Sequence, residues 1–241
     1  MKLEIQNITK HFGGIQALND VTLSIDENEL IGVIGPNGAG KTTFVNTITG
    51  FYKPSKGKLI LNGEDITKMK PNEVTKRGIG RTFQVTRAFR RMTVMENMLV
   101  PALAVSADAN RNEEKERARE VLNFLAMDHL RNDYARSLSG GQQKLLELAQ
   151  LLMTDPDILL LDEPFAGVHP KLMETIFEYI HTVHEQGKTF IIISHDMSSI
   201  FTLSKRLVVL NFGELLADGK PDVVKEDPRV IEAYLGEDED D

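Results

Sequence analysis

Gly35-Pro36-Asn37-Gly38-Ala39-Gly40-Lys41-Thr42, with Thr43 behind it, decides how this sequence is to be read. It fits G-x-x-x-x-G-K-[ST], the pattern of a phosphate-binding loop. Glycines let consecutive backbone N–H groups curl around an anion with no Cβ in the way. A helix beginning at Lys41 turns its positive end toward the phosphates. The Lys41 ammonium is then placed for the β- and γ-phosphates of ATP, and the Thr42 hydroxyl for Mg²⁺. The surroundings are those the loop requires. Leu30–Ile34 is a short apolar run that reads as a buried strand entering the loop.

On either side the chain reads as α/β. Leu3 and Ile5 alternate with polar residues, as do Val21, Leu23 and Ile25, which predicts strands. Leu59-Ile60-Leu61 runs into Asn62-Gly63, a strand entering a tight turn. Residues 95–153 carry few strand signals. There, Ala118, Val121, Leu122 and Leu125 fall on one helical face, and Leu145, Leu146, Leu148, Ala149 and Leu152 on another. Beyond them, the runs 158–161, 190–193 and 207–210 are continuously apolar, as central parallel strands covered on both faces would be. The pattern is a βαβ architecture interrupted by a helical insertion at about 85–150.

Asp162-Glu163 follows the apolar run 158–161, which puts two carboxylates at the carboxyl edge of the sheet, where ligands of α/β folds bind. Taken alone, acids before Pro164 could simply cap a helix. Beside a phosphate loop, Asp162 is placed to hold Mg²⁺ and Glu163 to orient and deprotonate an attacking water.

Composition narrows the class. The 241 residues carry a net charge of −8, from 28 basic and 36 acidic side chains. Residues 237–241 are all acidic; without them the balance is 28 against 31. A body so near neutrality argues against broad binding to nucleic acid. The absence of cysteine excludes a disulfide framework and cysteine-ligated metal. No apolar run reaches the roughly 18 residues of a membrane span, and Met1-Lys2-Leu3-Glu4 lacks a signal-peptide pattern. His11, His129, His181 and His184 form no metal-ligand spacing.

Leu138-Ser139-Gly140-Gly141-Gln142 resembles the signature of ATP-binding cassette (ABC) ATPases. Ser139 at a helix start, with two glycines after it, offers a hydroxyl and bare N–H groups at a positive dipole end, a second anion site. Other motifs of that family stand in order: Phe12 resembles the aromatic that stacks on adenine, Gln84 the glutamine of the Q-loop, and His195 the switch histidine. The resemblance covers essentially residues 1–236 and implies one nucleotide-binding domain, with 237–241 as an acidic tail. It implies a P-loop NTPase fold with a mainly parallel core sheet, an antiparallel β-subdomain and an inserted α-helical subdomain. It implies catalytic roles for Glu163, His195 and Lys41, and metal roles for Thr42, Gln84 and Asp162. It also implies a head-to-tail ATP-sandwich dimer, with an identical or a different second ABC ATPase, in which Ser139, Gly140, Gly141 and Gln142 of one subunit close on ATP in the other. Transmembrane permease subunits would be the partners, and the chain would sit cytoplasmic and peripheral on the inner face of the membrane.

Within the family, four stretches resemble importers of branched-chain amino acids: Gly80-Arg81-Thr82-Phe83-Gln84, the run 48–54, Ala166-Gly167-Val168 and Ala233-Tyr234-Leu235-Gly236-Glu237. A solute-binding protein would then act indirectly. His169 stands where many members carry Asp. Residues 76–91 hold six basic side chains and no acid (Lys76, Arg77, Arg81, Arg87, Arg90 and Arg91), which reads either as a solvated face or as a docking surface near anionic headgroups and the membrane subunit. The alternatives are the ATPase of an exporter of the lipopolysaccharide-transport type, a non-transport ABC ATPase, and a nucleotide sensor that does not hydrolyse; retention of Glu163 and His195 speaks against the last.

Overall fold

The computed structural model describes residues 2–83, 88–105 and 110–235. In chain order the elements are β1 (Leu3–Phe12), β2 (Ile15–Ile25), β3 (Leu30–Ile34), α1 (Lys41–Ile48), β4 (Lys56–Leu61), β5 (Glu64–Asp65), α2 (Pro71–Lys76), β6 (Ile79–Arg81), α3 (Val94–Val105), α4 (Arg111–Phe124), α5 (Gly140–Leu152), β7 (Ile158–Asp162), α6 (Pro170–Glu185), β8 (Thr189–Ile193), α7 (Met197–Leu203), β9 (Arg206–Asn211), β10 (Glu214–Gly219), α8 (Pro221–Val224) and α9 (Pro228–Leu235).

A six-stranded sheet runs β10-β9-β3-β8-β7-β6. Its five strands from β9 to β6 are parallel, and β10 returns antiparallel along β9. The parallel strands are short, and β3, β7, β8 and β9 are apolar through most of their length, with polar residues such as Asp162, Thr189 and Arg206 only at their ends, because both faces are covered. Leu30, Leu159, Leu161, Phe190, Ile192, Leu207 and Val209 point into a core shared with the helices α3 to α7. Their neighbours Ile31, Val33, Ile158, Leu160, Ile191, Ile193, Val208 and Leu210 point into a second core, shared with α1 and the other sheet. Period-two alternation is therefore present but hidden, since each face needs an apolar side chain. At Gly32 the sheet is closely packed: a Cβ there would lie 2.6–2.7 Å from the side chains of Ser204, Ile200 and Leu207.

The second sheet is antiparallel, in the order β2-β1-β4-β5. Leu3 and Ile5 of β1 and Val21, Leu23 and Ile25 of β2 turn inward, as their alternation predicts, and Ile8 joins them across a register shift at Asn7, which has φ +52°. Between β6 and β7 the described residues form α3, α4 and α5, with two single 3₁₀ turns and an isolated bridge from Thr93 to Tyr134. Ala118 and Leu122 of α4 are buried, and so are Leu145, Leu146, Leu148 and Ala149 of α5. Buried Asn97 pins the approach to α3: its Oδ1 accepts from Phe89 N at 2.8 Å, and its Nδ2 donates to the Phe89 and Thr93 carbonyls. Residues 237–241 and Gln84 lie outside the described residues. Among those described, no helix is long and apolar enough to cross a membrane.

Candidate nucleotide site

A cleft of about 580 Å³ opens at the carboxyl edge of the six-stranded sheet. Residues 37–43, Asp162, Glu163 and His195 all line it, joined by Ile15 to Ala17 of β2 and by Phe212 from the β9–β10 turn. The chain thus brings the loop, the acid pair and the histidine, up to 160 residues apart in sequence, to one place, because β3, β7 and β8 end side by side.

The loop's path depends on glycine. Gly35 has φ +149°, and a Cβ there would lie 2.1 Å from the Leu210 carbonyl oxygen of β9. Gly40 has φ +99° and begins α1 without a side-chain cap, and the positive end of that helix is where an anion binds best. Phe44, Val45 and Ile48 anchor α1 in the core. Lys41 folds back over its own loop, its ammonium donating to the Gly35 and Pro36 carbonyls, the latter at 2.8 Å.

Asp162 and Glu163 are both buried. The Asp162 Oδ2 accepts from Arg81 Nη2 at 2.8 Å. Glu163 has left the strand for the left-handed region, at φ +51°, a conformation costing a non-glycine residue of order 1–3 kcal/mol unless its surroundings impose it. They do. Its N–H donates to the Ile193 carbonyl at 2.8 Å. Its Oε1 accepts from His195 N at 3.1 Å, and its Oε2 from the Ser194 hydroxyl at 3.1 Å. His195 Nδ1 lies 2.9 Å from the same Oε2. Lys144 of α5 donates to the Glu163 carbonyl at 3.3 Å. The turn after His195 is held by Asp196, whose carboxylate caps α7. It accepts from the Ser199 N–H and hydroxyl, and these bonds hold its carboxyl below the usual carboxylate range, with the neighbouring His195 adding to the effect.

Among the described residues no group of three or more His, Cys, Asp or Glu could hold a metal alone. Thr42 and Asp162 supply hard oxygen donors to one cleft, and that donor set fits Mg²⁺ bound jointly with nucleotide phosphates.

The remaining expected residues sit elsewhere. Phe12 does not line the cleft, although its cross-strand partner Ile15 does. Its ring is 41% exposed, meets Tyr52 edge-on at 5.0 Å and lies under the Lys10 ammonium. Ser139 caps α5 and forms a capping box with Gln142: the hydroxyl accepts from Gln142 N, and Gln142 Oε1 accepts from Ser139 N. A Cβ at Gly141 would lie 2.5 Å from the Leu172 side chain. None of Ser139, Gly140, Gly141 or Gln142 lines the cleft of its own chain. His169 caps α6, its Nδ1 accepting from Lys171 N at 3.3 Å.

The basic run 76–91 is not one face. Lys76, Arg90 and Arg91 are exposed, Arg77 pairs with Glu64 at 2.7 Å, and Arg81 is buried against Asp162; Arg87 lies outside the described residues. Charge counting along the chain could not separate these, because acids distant in sequence decide them. Sequence reasoning also missed Ser194, Ile15 to Ala17 and Phe212. The last is 85% exposed, with φ +45°, and its turn is tied to the phosphate loop by Gly213 N donating to the Ala39 carbonyl at 3.0 Å.

Comparisons with known proteins give the chain a family. Residues 18–166 match the ABC transporter family, and residues 214–240 match the branched-chain amino acid ATP-binding cassette transporter family. The chain is 39% identical to a probable branched-chain amino acid transport ATP-binding protein, LivG, of Archaeoglobus fulgidus, covering 97% of this chain and 95% of the relative. It is 39% identical to the high-affinity branched-chain amino acid transport ATP-binding protein BraF of Pseudomonas aeruginosa, covering 98% of each. Among solved structures, a nucleotide-free ATP-binding cassette from an ABC transporter superposes with a TM-score of 0.87 at 35% identity, over 97% of this chain and 99% of that one. A cassette in its ADP conformation gives 0.86 at 36%, over 98% and 99%. A dimeric bacterial cassette gives 0.83 at 30%, over 91% and 98%. The chain belongs to the ABC transporter ATP-binding protein family, whose activity is ATP hydrolysis coupled to transport.

Proposed function

We propose that this protein hydrolyses Mg·ATP in the 580 Å³ cleft to power import of branched-chain or other hydrophobic amino acids. It would do so from the cytoplasmic face of the membrane, bound to transmembrane permease subunits that receive solute from a binding protein. The observation that carries the chemistry is the Glu163 carboxylate, buried and held by His195 and Ser194 in the cleft that also contains Lys41. The names of the relatives support the transported solute and favour import over the exporter alternative.

In this reading the loop N–H groups and the Lys41 ammonium hold the β- and γ-phosphates. ATP would take the ammonium from the Gly35 and Pro36 carbonyls it now engages. Thr42 and Asp162, with Gln84, would hold Mg²⁺. The metal would supply charge neutralisation between the phosphate oxygens. Glu163 accepts a proton from water as the water oxygen bonds to the γ-phosphorus and the bond to the β,γ-bridging oxygen breaks, leaving ADP and phosphate. His195 and Ser194 keep the carboxylate pointed at that water. Phe12, the cross-strand partner of the cleft residue Ile15, would meet the adenine.

The placement of Ser139 to Gln142 outside their own chain's cleft supports a head-to-tail pair, in which one subunit's α5 start faces the other's nucleotide. ATP would bind that closed pair better than the open one, so binding shifts the population and hydrolysis resets it.

The test is reconstitution. The protein, its permease subunits and binding protein in sealed vesicles should accumulate labelled leucine in an ATP-dependent way. Outward movement, or ATP turnover insensitive to leucine-loaded binding protein, would remove the importer reading.

A further inference from the structure

Arg81, which a linear reading groups with the surface charges, is the centre of a closed arrangement behind the acid pair. Its side chain is 8% exposed and that of Asp162 is 7% exposed. All three guanidinium nitrogens are engaged. Nη2 donates to Asp162 Oδ2 at 2.8 Å, Nη1 to Asn46 Oδ1 at 2.6 Å, and Nε to the Thr82 carbonyl at 3.1 Å. The guanidinium also lies 5.7 Å from the Phe51 ring centroid and 5.1 Å from that of Phe83, and these two rings meet edge-on. Backbone bonds complete the attachment: Thr82 N donates to the Leu160 carbonyl, and Asp162 N to the Thr82 hydroxyl.

Asn46 lies one helical turn beyond Thr42 on α1. The chain Asp162–Arg81–Asn46 is therefore a charge-assisted strut between the strand that carries the carboxylate and the helix that carries the hydroxyl. A buried ion pair is a weak device for stability, since apolar side chains of the same volume usually serve as well. It is an effective device for fixing where a carboxylate points, because a planar fork constrains direction as well as distance. Lysine could not replace it, having a single ammonium to share between Asp162 and Asn46.

We propose that Arg81 is a positioning residue for the metal–nucleotide site. It fixes the Asp162 carboxylate relative to α1, so that Asp162 and Thr42 present their oxygens to one cation. The inference rests on the Mg·ATP reading above. The guanidinium also carries a charge that opposes a nearby cation, so the two effects have opposite signs and the experiment decides between them. Second-sphere partners of metal ligands typically change metal affinity by about 10- to 100-fold.

The test follows binding of a fluorescent, non-hydrolysable ATP analogue as MgCl₂ is titrated, for the parent protein, Arg81→Gln and Arg81→Lys, with affinity in excess EDTA as the baseline. Positioning predicts that Arg81→Gln raises the half-saturating Mg²⁺ about tenfold, while affinity in EDTA stays within about twofold because the loop and Lys41 are untouched. Arg81→Lys, which keeps the buried charge, should fall between, and it carries the test if the glutamine variant does not fold. An unchanged or lowered Mg²⁺ requirement in the folded variants would overturn the proposal. So would a parallel loss of affinity in EDTA, which marks a general structural role. A parent protein whose analogue binding ignores Mg²⁺ would instead overturn the site reading itself, and this inference with it.

Discussion

His195 Nδ1 lies 2.9 Å from Glu163 Oε2, and the backbone N–H of the same histidine donates to the other carboxylate oxygen at 3.1 Å. One residue therefore holds both oxygens of the acid, although the two are joined only through the neighbouring ends of β7 and β8. The consequence is testable by splitting the two contacts. His195→Ala removes the ring and keeps the backbone donor and Ser194. ATP affinity should stay within about twofold, while single-turnover hydrolysis falls about 10²-fold or more, the range lost when general-base chemistry is misaligned. A variant with parental turnover would show that Ser194 and the backbone alone orient Glu163.

Much of this arrangement is legible in the chain and some is not, for physical reasons. The loop 35–42 is a local motif, since its glycines and lysine act on backbone geometry within eight residues. Four of the parallel strands, β3, β7, β8 and β9, are legible as apolar runs, because two cores demand side chains on both faces. β6 and β10 carry no such signal: β6 is three residues at a sheet edge, and β10 is half exposed. Arg81 looks like surface charge until Asp162, 81 positions away, is folded against it. Phe212 lies just past the apolar run 207–210 and carries no signal of its own; only the folded β9–β10 turn brings it to the cleft. A residue whose environment is made by distant chain cannot be read from its neighbours.

Gly35 offers a stability test at the loop's entry. Both its φ of +149° and the 2.1 Å approach of a Cβ to the Leu210 carbonyl oppose a side chain. Strain from the backbone and from overpacking together should cost Gly35→Ala about 2–4 kcal/mol. Denaturant unfolding monitored by far-ultraviolet circular dichroism would measure it. Gly38, with no heavy atom within 4 Å of its Cβ position, is the control: Gly38→Ala meets strain from its φ of +77° but no clash, and should cost less.

Asp196 gives a pH dependence with a definite sign. Its bonds to Ser199 lower its carboxyl from the ordinary value near 4. A folded value lowered below the unfolded one stabilises the protein above the unfolded value, and that contribution is lost as pH falls through the folded one. Asp196→Asn keeps a capping oxygen and loses the charge at the start of α7, so it should cost about 0.3–1 kcal/mol at pH 7, and the parent and variant stabilities should converge once the pH lies below the lowered folded value. Urea unfolding at both pH values measures the difference; a constant gap would mean that charge plays no part in the cap.

The last prediction separates binding from chemistry and asks whether the cleft is completed by a second copy. Glu163→Gln keeps the size of the side chain and an oxygen acceptor, and removes basicity and one negative charge beside the γ-phosphate. ATP should bind at least as well, since carboxylate–phosphate repulsion is relieved, while turnover falls by about 10²–10⁴-fold. With ATP no longer consumed, the closed pair should accumulate and elute as a dimer in gel filtration with Mg·ATP, and as a monomer without it. Ser139 lies outside its own cleft, so adding Ser139→Ala should leave ATP binding to the monomer intact and abolish the ATP-dependent dimer. Ser139 also caps α5 through Gln142, which gives the substitution a second effect to control for. Thermal unfolding of the double variant therefore has to stay within the few degrees a lost cap allows. Under that condition, loss of the dimer assigns Ser139 to the partner's nucleotide. A dimer that persists in the double variant would leave the α5 start with only its capping role.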